Sequence, residues 1–171
     1  MKPAVWSQSN RLRLPRRSPW RGLALAPVSA TLACATIGLL KLALPQDLWG
    51  QTAAQNLTGA SDAAVFFAAI FFAPLYETFV AQLLPIEILR RCRAGAAVCI
   101  IVSAALFSLG HVLTGAGIAH GTTTLVAGLV FAYAYVSART DGVGAGYVCA
   151  VVAHAGHNAL LLYVVGPFTQ P

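Results

Sequence analysis

Apolar residues run through this chain in long blocks, interrupted by short polar or charged separators. Five blocks stand out, at 22–44, 63–85, 94–113, 121–138 and 142–165. Each is close to the roughly 20 residues that carry a helix across the hydrocarbon core of a bilayer. The separators hold turn and charge signals: Pro45, Gln46 and Asp47; the cluster from Arg90 to Arg93; Gly115 and Gly117; Asp141 and Gly142. The pattern predicts an all-α polytopic bundle of five transmembrane spans. Residues 1–21 form a basic arm with Pro3, Pro15 and Pro19, suited to anionic lipid headgroups. The arm resembles the charged start of a secretory signal, but the block after it is too long and no small-residue cleavage site closes it. Block 22–44 is therefore read as a retained first span that anchors the chain, and 62–165 as the working core.

Composition supports lipid as the solvent. Hydrophobic residues make up 58% of the 171 and charged residues 9%, against about 25% charged in a soluble domain. A large obligate oligomer is the other way to hide so much apolar surface, but the block lengths favour the bilayer. The net charge of +6 would suit a nucleic-acid partner if it lay on one face. It does not. Lys2, Arg11, Arg13, Arg16, Arg17 and Arg21 lie in the arm, Arg90, Arg91 and Arg93 between the second and third blocks, and Arg139 between the fourth and fifth. The loops 45–62 and 114–120 contain no Lys or Arg, and Lys41 can snorkel to the interface. This alternation gives an N-in, C-out topology and argues against nucleic acid as a partner. Cys34, Cys92, Cys99 and Cys149 form no CxxC pair and read as packing residues or free thiols.

The chemistry lies in the polar residues that the blocks contain. Glu77 lies deep in the second block, three residues after Pro74. A carboxylate near the bilayer centre costs about 2.5–3.5 kcal/mol on insertion scales. It serves either as a catalytic or transport group or as a structural hydrogen bond between helices. His111 closes the third block, with Phe107 one turn earlier on the same face. The fifth block carries His154, His157 and Asn158; His154 and Asn158 are spaced i, i+4 and share a face. His120 falls in the loop after the third block and is expected to be solvated.

Antiparallel spans can bring Glu77, His111 and His154 to one depth. A carboxylate, two imidazoles and a carboxamide around one cavity can hydrolyse an amide. Glu77 would be general base to a water that His111 holds, and His154 with Asn158 would donate to the oxyanion. Two His and one Glu are also a zinc set, which stays open as an alternative although no HExxH is present.

These residues resemble the CPBP family, the CAAX-protease and bacteriocin-processing membrane proteins, also called ABI or type II CAAX prenyl endopeptidase-like. The family pattern is Glu-Glu-x-x-x-Arg, then Phe-x-x-x-His, then His-x-x-x-Asn, each on its own span. Glu77 matches the first glutamate, Phe107 and His111 the second motif, and His154 and Asn158 the third. The stretch Ala138-Arg-Thr-Asp-Gly142 resembles the family's Arg-Thr-Gly link. Two positions depart: Thr78 stands for the second glutamate and Gln82 for the arginine, which puts substrate and strength of activity in question. The resemblance implies a glutamate-dependent intramembrane endopeptidase with no cofactor and no metal, residing in a bacterial inner (plasma) membrane. By carry-over Glu77, His111, His154 and Asn158 are catalytic, and Thr78, Gln82, Phe107 and His157 support them. It also implies a protein or peptide substrate with a membrane-anchored segment, cut in a C-terminal tail, leader or anchor. Two other readings remain open on the residues: a non-catalytic immunity or assembly factor that kept the fold, and a small proton-coupled transporter.

Overall fold

In the computed structural model, residues 18–45, 48–49, 59–114 and 117–165 are described. Most of the basic arm, Gln46, Asp47 and Gly115 lie outside them. Among the described residues the chain is helical, without strands. Five helices are long and apolar enough to cross a membrane: α1 Ser18–Ala43, α2 Asp62–Arg91, α3 Ala96–Leu113, α4 Ile118–Asp141 and α5 Val143–Val165. They are the five spans of the sequence pattern, with α2 longer than its apolar block at the arginine end. Phe66, Phe67, Phe71 and Phe72 of α2 stand exposed on the bundle surface, as helices do when lipid rather than water surrounds them.

The core is built from small and aromatic residues. Phe107, Phe131, Tyr135, Cys99, Cys149 and Ile86 are buried between α2, α3, α4 and α5. α4 turns into α5 through a short 3-10 turn, Arg139–Asp141, and Gly142 at φ 131°. That is a left-handed conformation which side chains resist, so glycine permits the reversal.

α2 is not a uniform α-helix, and its two prolines explain why. Proline lacks an N–H and its ring clashes with the carbonyl four residues back. Before Pro74 the helix widens to π geometry over Phe67–Phe72, and the Ala73 N–H bonds to the Ala68 carbonyl. Before Pro85 it widens again over Phe79–Leu83, and the Leu84 N–H bonds to the Phe79 carbonyl. Between the two lies one ordinary α-helical stretch, Ala73–Thr78, which carries Glu77. Side chains on other spans reach the carbonyls of this interrupted helix. Ser103 Oγ on α3 donates to the Ala81 carbonyl at 2.7 Å, four residues before Pro85. Asn158 Nδ2 on α5 donates to the Ala69 carbonyl at 2.8 Å. In the register set by Ala73 the next donor would be Pro74, directed at Ala69.

The arginine end of α2 is fastened separately. Arg139 donates to Glu87 through Nε at 2.6 Å and Nη2 at 3.1 Å. Tyr135 Oη donates to the same carboxylate at 2.9 Å, and Arg90 Nη1 at 3.0 and 3.1 Å. Side-on guanidinium pairing of this kind is among the stronger polar contacts, and here it ties α2 to α4. The Arg139 of the motif-like link is thus a buried tether.

Candidate active site

Depth brings the candidate residues together. Glu77 lies 14 residues before Arg91 at the end of α2, and His111 lies 15 after Ala96 at the start of α3. Counted from their shared connection, the two antiparallel helices bring both side chains to one level. Glu77 Oε2 is 3.8 Å from His111 Nε2 and 3.7 Å from His154 Nε2. The Glu77 side chain is 32% exposed and that of His154 is 3% exposed, so the carboxylate opens outward while one imidazole is sealed behind it.

Each imidazole is oriented through its other nitrogen. His111 Nδ1–H donates to the Phe107 carbonyl at 2.9 Å. A carbonyl can only accept, so the proton of a neutral His111 is on Nδ1 and its Nε2 presents a lone pair to Glu77. His154 Nδ1 shares a hydrogen bond of 3.3 Å with the Thr78 hydroxyl. Thr78, next to Glu77, is wholly buried, so the residue at the departing motif position orients the opposite histidine. Aromatic rings fix the planes. Phe107 lies 4.6 Å from the His111 ring and 5.4 Å from the His154 ring, and Phe131 stacks on His154 at 4.4 Å and 19°.

The remaining candidates lie around this centre. Asn158 is directed at the α2 backbone through its Ala69 bond. His157 is buried against Phe131 and shares a 2.9 Å hydrogen bond with Ser29 of α1. Gln82, one turn from Thr78, is wholly buried, and neither of its amide atoms meets a protein partner among the described residues. Buried amides in such surroundings commonly bind internal water.

His120 differs from the expectation of a solvated loop. α4 begins at Ile118, before the apolar block does, because Gly117 caps it in extended conformation. His120 thus sits on the first turn of α4, its ring 5.5 Å from that of His111, with its Nε2 buried. Glu87, Tyr135 and Ser29 are further polar residues that apolar-block reading does not single out. The Glu87–Arg90 spacing of i, i+3 was the available signal for the first. Among the described residues, no group of three or more His, Cys, Asp or Glu side chains is placed to hold a metal ion.

A membrane bundle whose second, third and fifth spans converge a glutamate and two histidines on one point has the makings of a hydrolytic centre. Residues 59–160 match the family of type II CAAX prenyl endopeptidases, Rce1-like. That stretch covers more than half of the chain and holds Glu77, His111 and His154, and the chain belongs to this family. No curated protein and no solved structure gives a significant match.

Proposed function

We propose that this protein is an intramembrane endopeptidase in which Glu77 activates a water against a peptide bond. The observation that carries the reading is the convergence of His111 Nε2 and His154 Nε2 on Glu77 Oε2 at 3.8 and 3.7 Å. Those separations exceed a direct hydrogen bond and suit one bridged by water. A water donating one hydrogen to Glu77 and one to the His111 lone pair turns its own lone pairs outward, toward a substrate carbonyl. Its oxygen bonds to the carbonyl carbon as Glu77 takes a proton. Collapse of the tetrahedral intermediate breaks the C–N bond, and Glu77 returns the proton to the leaving amine.

The oxyanion needs a donor that does not titrate away. When the Thr78 hydroxyl donates to His154 Nδ1, His154 carries its proton on Nε2 and presents an N–H to the reacting centre. Asn158 braces the α2 backbone with one Nδ2 hydrogen and has a second for the oxyanion. No step in this scheme requires a metal.

The family name supports a protein substrate held at the membrane, and a prenylated C-terminal tail is the form we propose first. The site also suits leader or anchor segments presented at the same level. Charge alternation supports a cytoplasmic arginine end of the bundle, and a bacterial inner membrane belongs to the same proposal.

The test is cleavage by purified protein in liposomes, offered farnesylated Cys-aliphatic-aliphatic-X peptides and membrane proteins with a C-terminal anchor. Glu77→Gln keeps the shape of the side chain and removes the base. It is expected to lose about 10²- to 10⁴-fold in rate with the fold intact. Cleavage by Glu77→Gln at the wild-type rate would refute the mechanism. Retained tail binding with no cleavage by either protein would favour a non-catalytic binding role.

A further inference from the structure

The matched stretch begins at residue 59, so α1 lies outside it. Yet α1 packs directly on the helix that carries His154. Its contact stripe is Gly22, Ala26, Ser29, Ala30 and Ala33, all buried and spaced for one helical face. The approach is close at both ends. A Cβ on Gly22 would come within 2.3 Å of the Cys149 carbonyl oxygen, and one on Gly156 within 2.7 Å of Ala26 Cβ. Small residues of this kind let helix backbones meet in lipid, where no hydrophobic drive pushes them together.

Among the described residues, that interface contains a polar contact. Ser29 is wholly buried, and its hydroxyl shares a 2.9 Å hydrogen bond with His157 Nδ1. His157 meets the edge of Phe131 at 5.4 Å and 84°, and Phe131 lies flat on His154. A continuous series of contacts therefore runs from α1 to the imidazole beside Glu77.

We infer that Ser29 is a positioning residue of the peptidase site, and that α1 helps to set the orientation of His154 through His157 and Phe131. The inference rests on the peptidase reading for its kinetic arm only. The Ser29 hydroxyl, as donor or acceptor, orients the His157 ring through Nδ1 and holds it against Phe131. Loss of the hydroxyl leaves His157 Nδ1 buried without its partner, and the ring turns to find another.

The experiment uses the full chain in detergent micelles with ¹⁵N-labelled histidine. The chain has four histidines, so each imidazole can be assigned by single substitution. Ser29→Ala is expected to shift the ring nitrogen resonances of both His157 and His154. It should also lower kcat about tenfold at nearly unchanged KM, because substrate contacts are untouched. Ser29→Cys keeps the volume and weakens the bond, and gives the same readouts should Ser29→Ala fail to fold. A second arm adds Ser29→Ala to His157→Phe, where it should cost nothing further. Unchanged His154 resonances, wild-type kcat in folded Ser29→Ala, or full additivity in the double variant would each overturn the inference. If wild-type protein cleaves no offered substrate, the peptidase reading fails while the His154 resonances still decide the role of Ser29.

Discussion

Asn158 donates to the Ala69 carbonyl at 2.8 Å, the acceptor that Pro74 would serve in the local register if it had an N–H. A side chain of the fifth span thus completes the backbone of the second, four residues before the stretch that carries Glu77 begins. Asn158→Ala is expected to cost about 0.6–1.7 kcal/mol of stability, the range for hydrogen bonds between membrane helices. In a Pro74→Ala background the restored N–H can serve the carbonyls before it, and the same change should cost much less. Thermal unfolding of the four proteins in detergent measures the coupling. Equal costs in both backgrounds would show that Asn158 does not serve the proline gap.

The hydroxyl of Thr78 gives a second expectation. Thr78→Val is close in shape and cannot donate to His154 Nδ1, so it should lower kcat by about tenfold or more. Thr78→Ser should retain most of the activity. Similar losses in both variants would mean that packing rather than the hydrogen bond matters there.

Gln82 carries two buried amide atoms that meet no protein partner among the described residues. Replacing a buried polar group that no protein group pairs with by an apolar one of similar shape removes its desolvation cost. Gln82→Met should therefore leave the midpoint of thermal unfolding equal or higher. A fall of more than about 1 kcal/mol would show that the amide holds a structural water.

The Glu87 tether predicts a large effect far from the reacting groups. Glu87→Gln leaves the buried Arg139 without its counter-charge and should destabilise the bundle by about 3–5 kcal/mol. Pairing it with Arg139→Met should recover much of that loss. Chemical denaturation in mixed micelles reads both, and the recovery is the decisive comparison.

Metal chelation addresses the zinc alternative. Cleavage should persist in the presence of a strong chelator and after dialysis. Activity lost on chelation and restored by zinc alone would replace the water-activation scheme with a metal-bound one.

The spans were legible because lipid demands long apolar blocks and the arginines mark one end of them. The meeting of Glu77 and His111 was legible too, since residues equally far from one connection share a level in antiparallel helices. His120 was not. The glycines at 115 and 117 read as loop, but Gly117 is a helix cap, so the fourth helix begins three residues before its apolar block. The partner of Asn158 depends on a π register that apolar periodicity does not encode. Glu87 is masked by the arginines beside it, and Ser29 looks like any small residue of a spanning helix.

α3 ends at Leu113, two residues past His111, while α2 runs on from Glu77 to Asp62, a distance of roughly 20 Å. Among the described residues, α3 therefore stops near the level of Glu77 while α2 continues past it. Hydrolysis inside a membrane requires water to reach a place that excludes it. On the peptidase reading, a short α3 beside a long α2 would let water from the headgroup layer approach Glu77 without a tunnel through the protein.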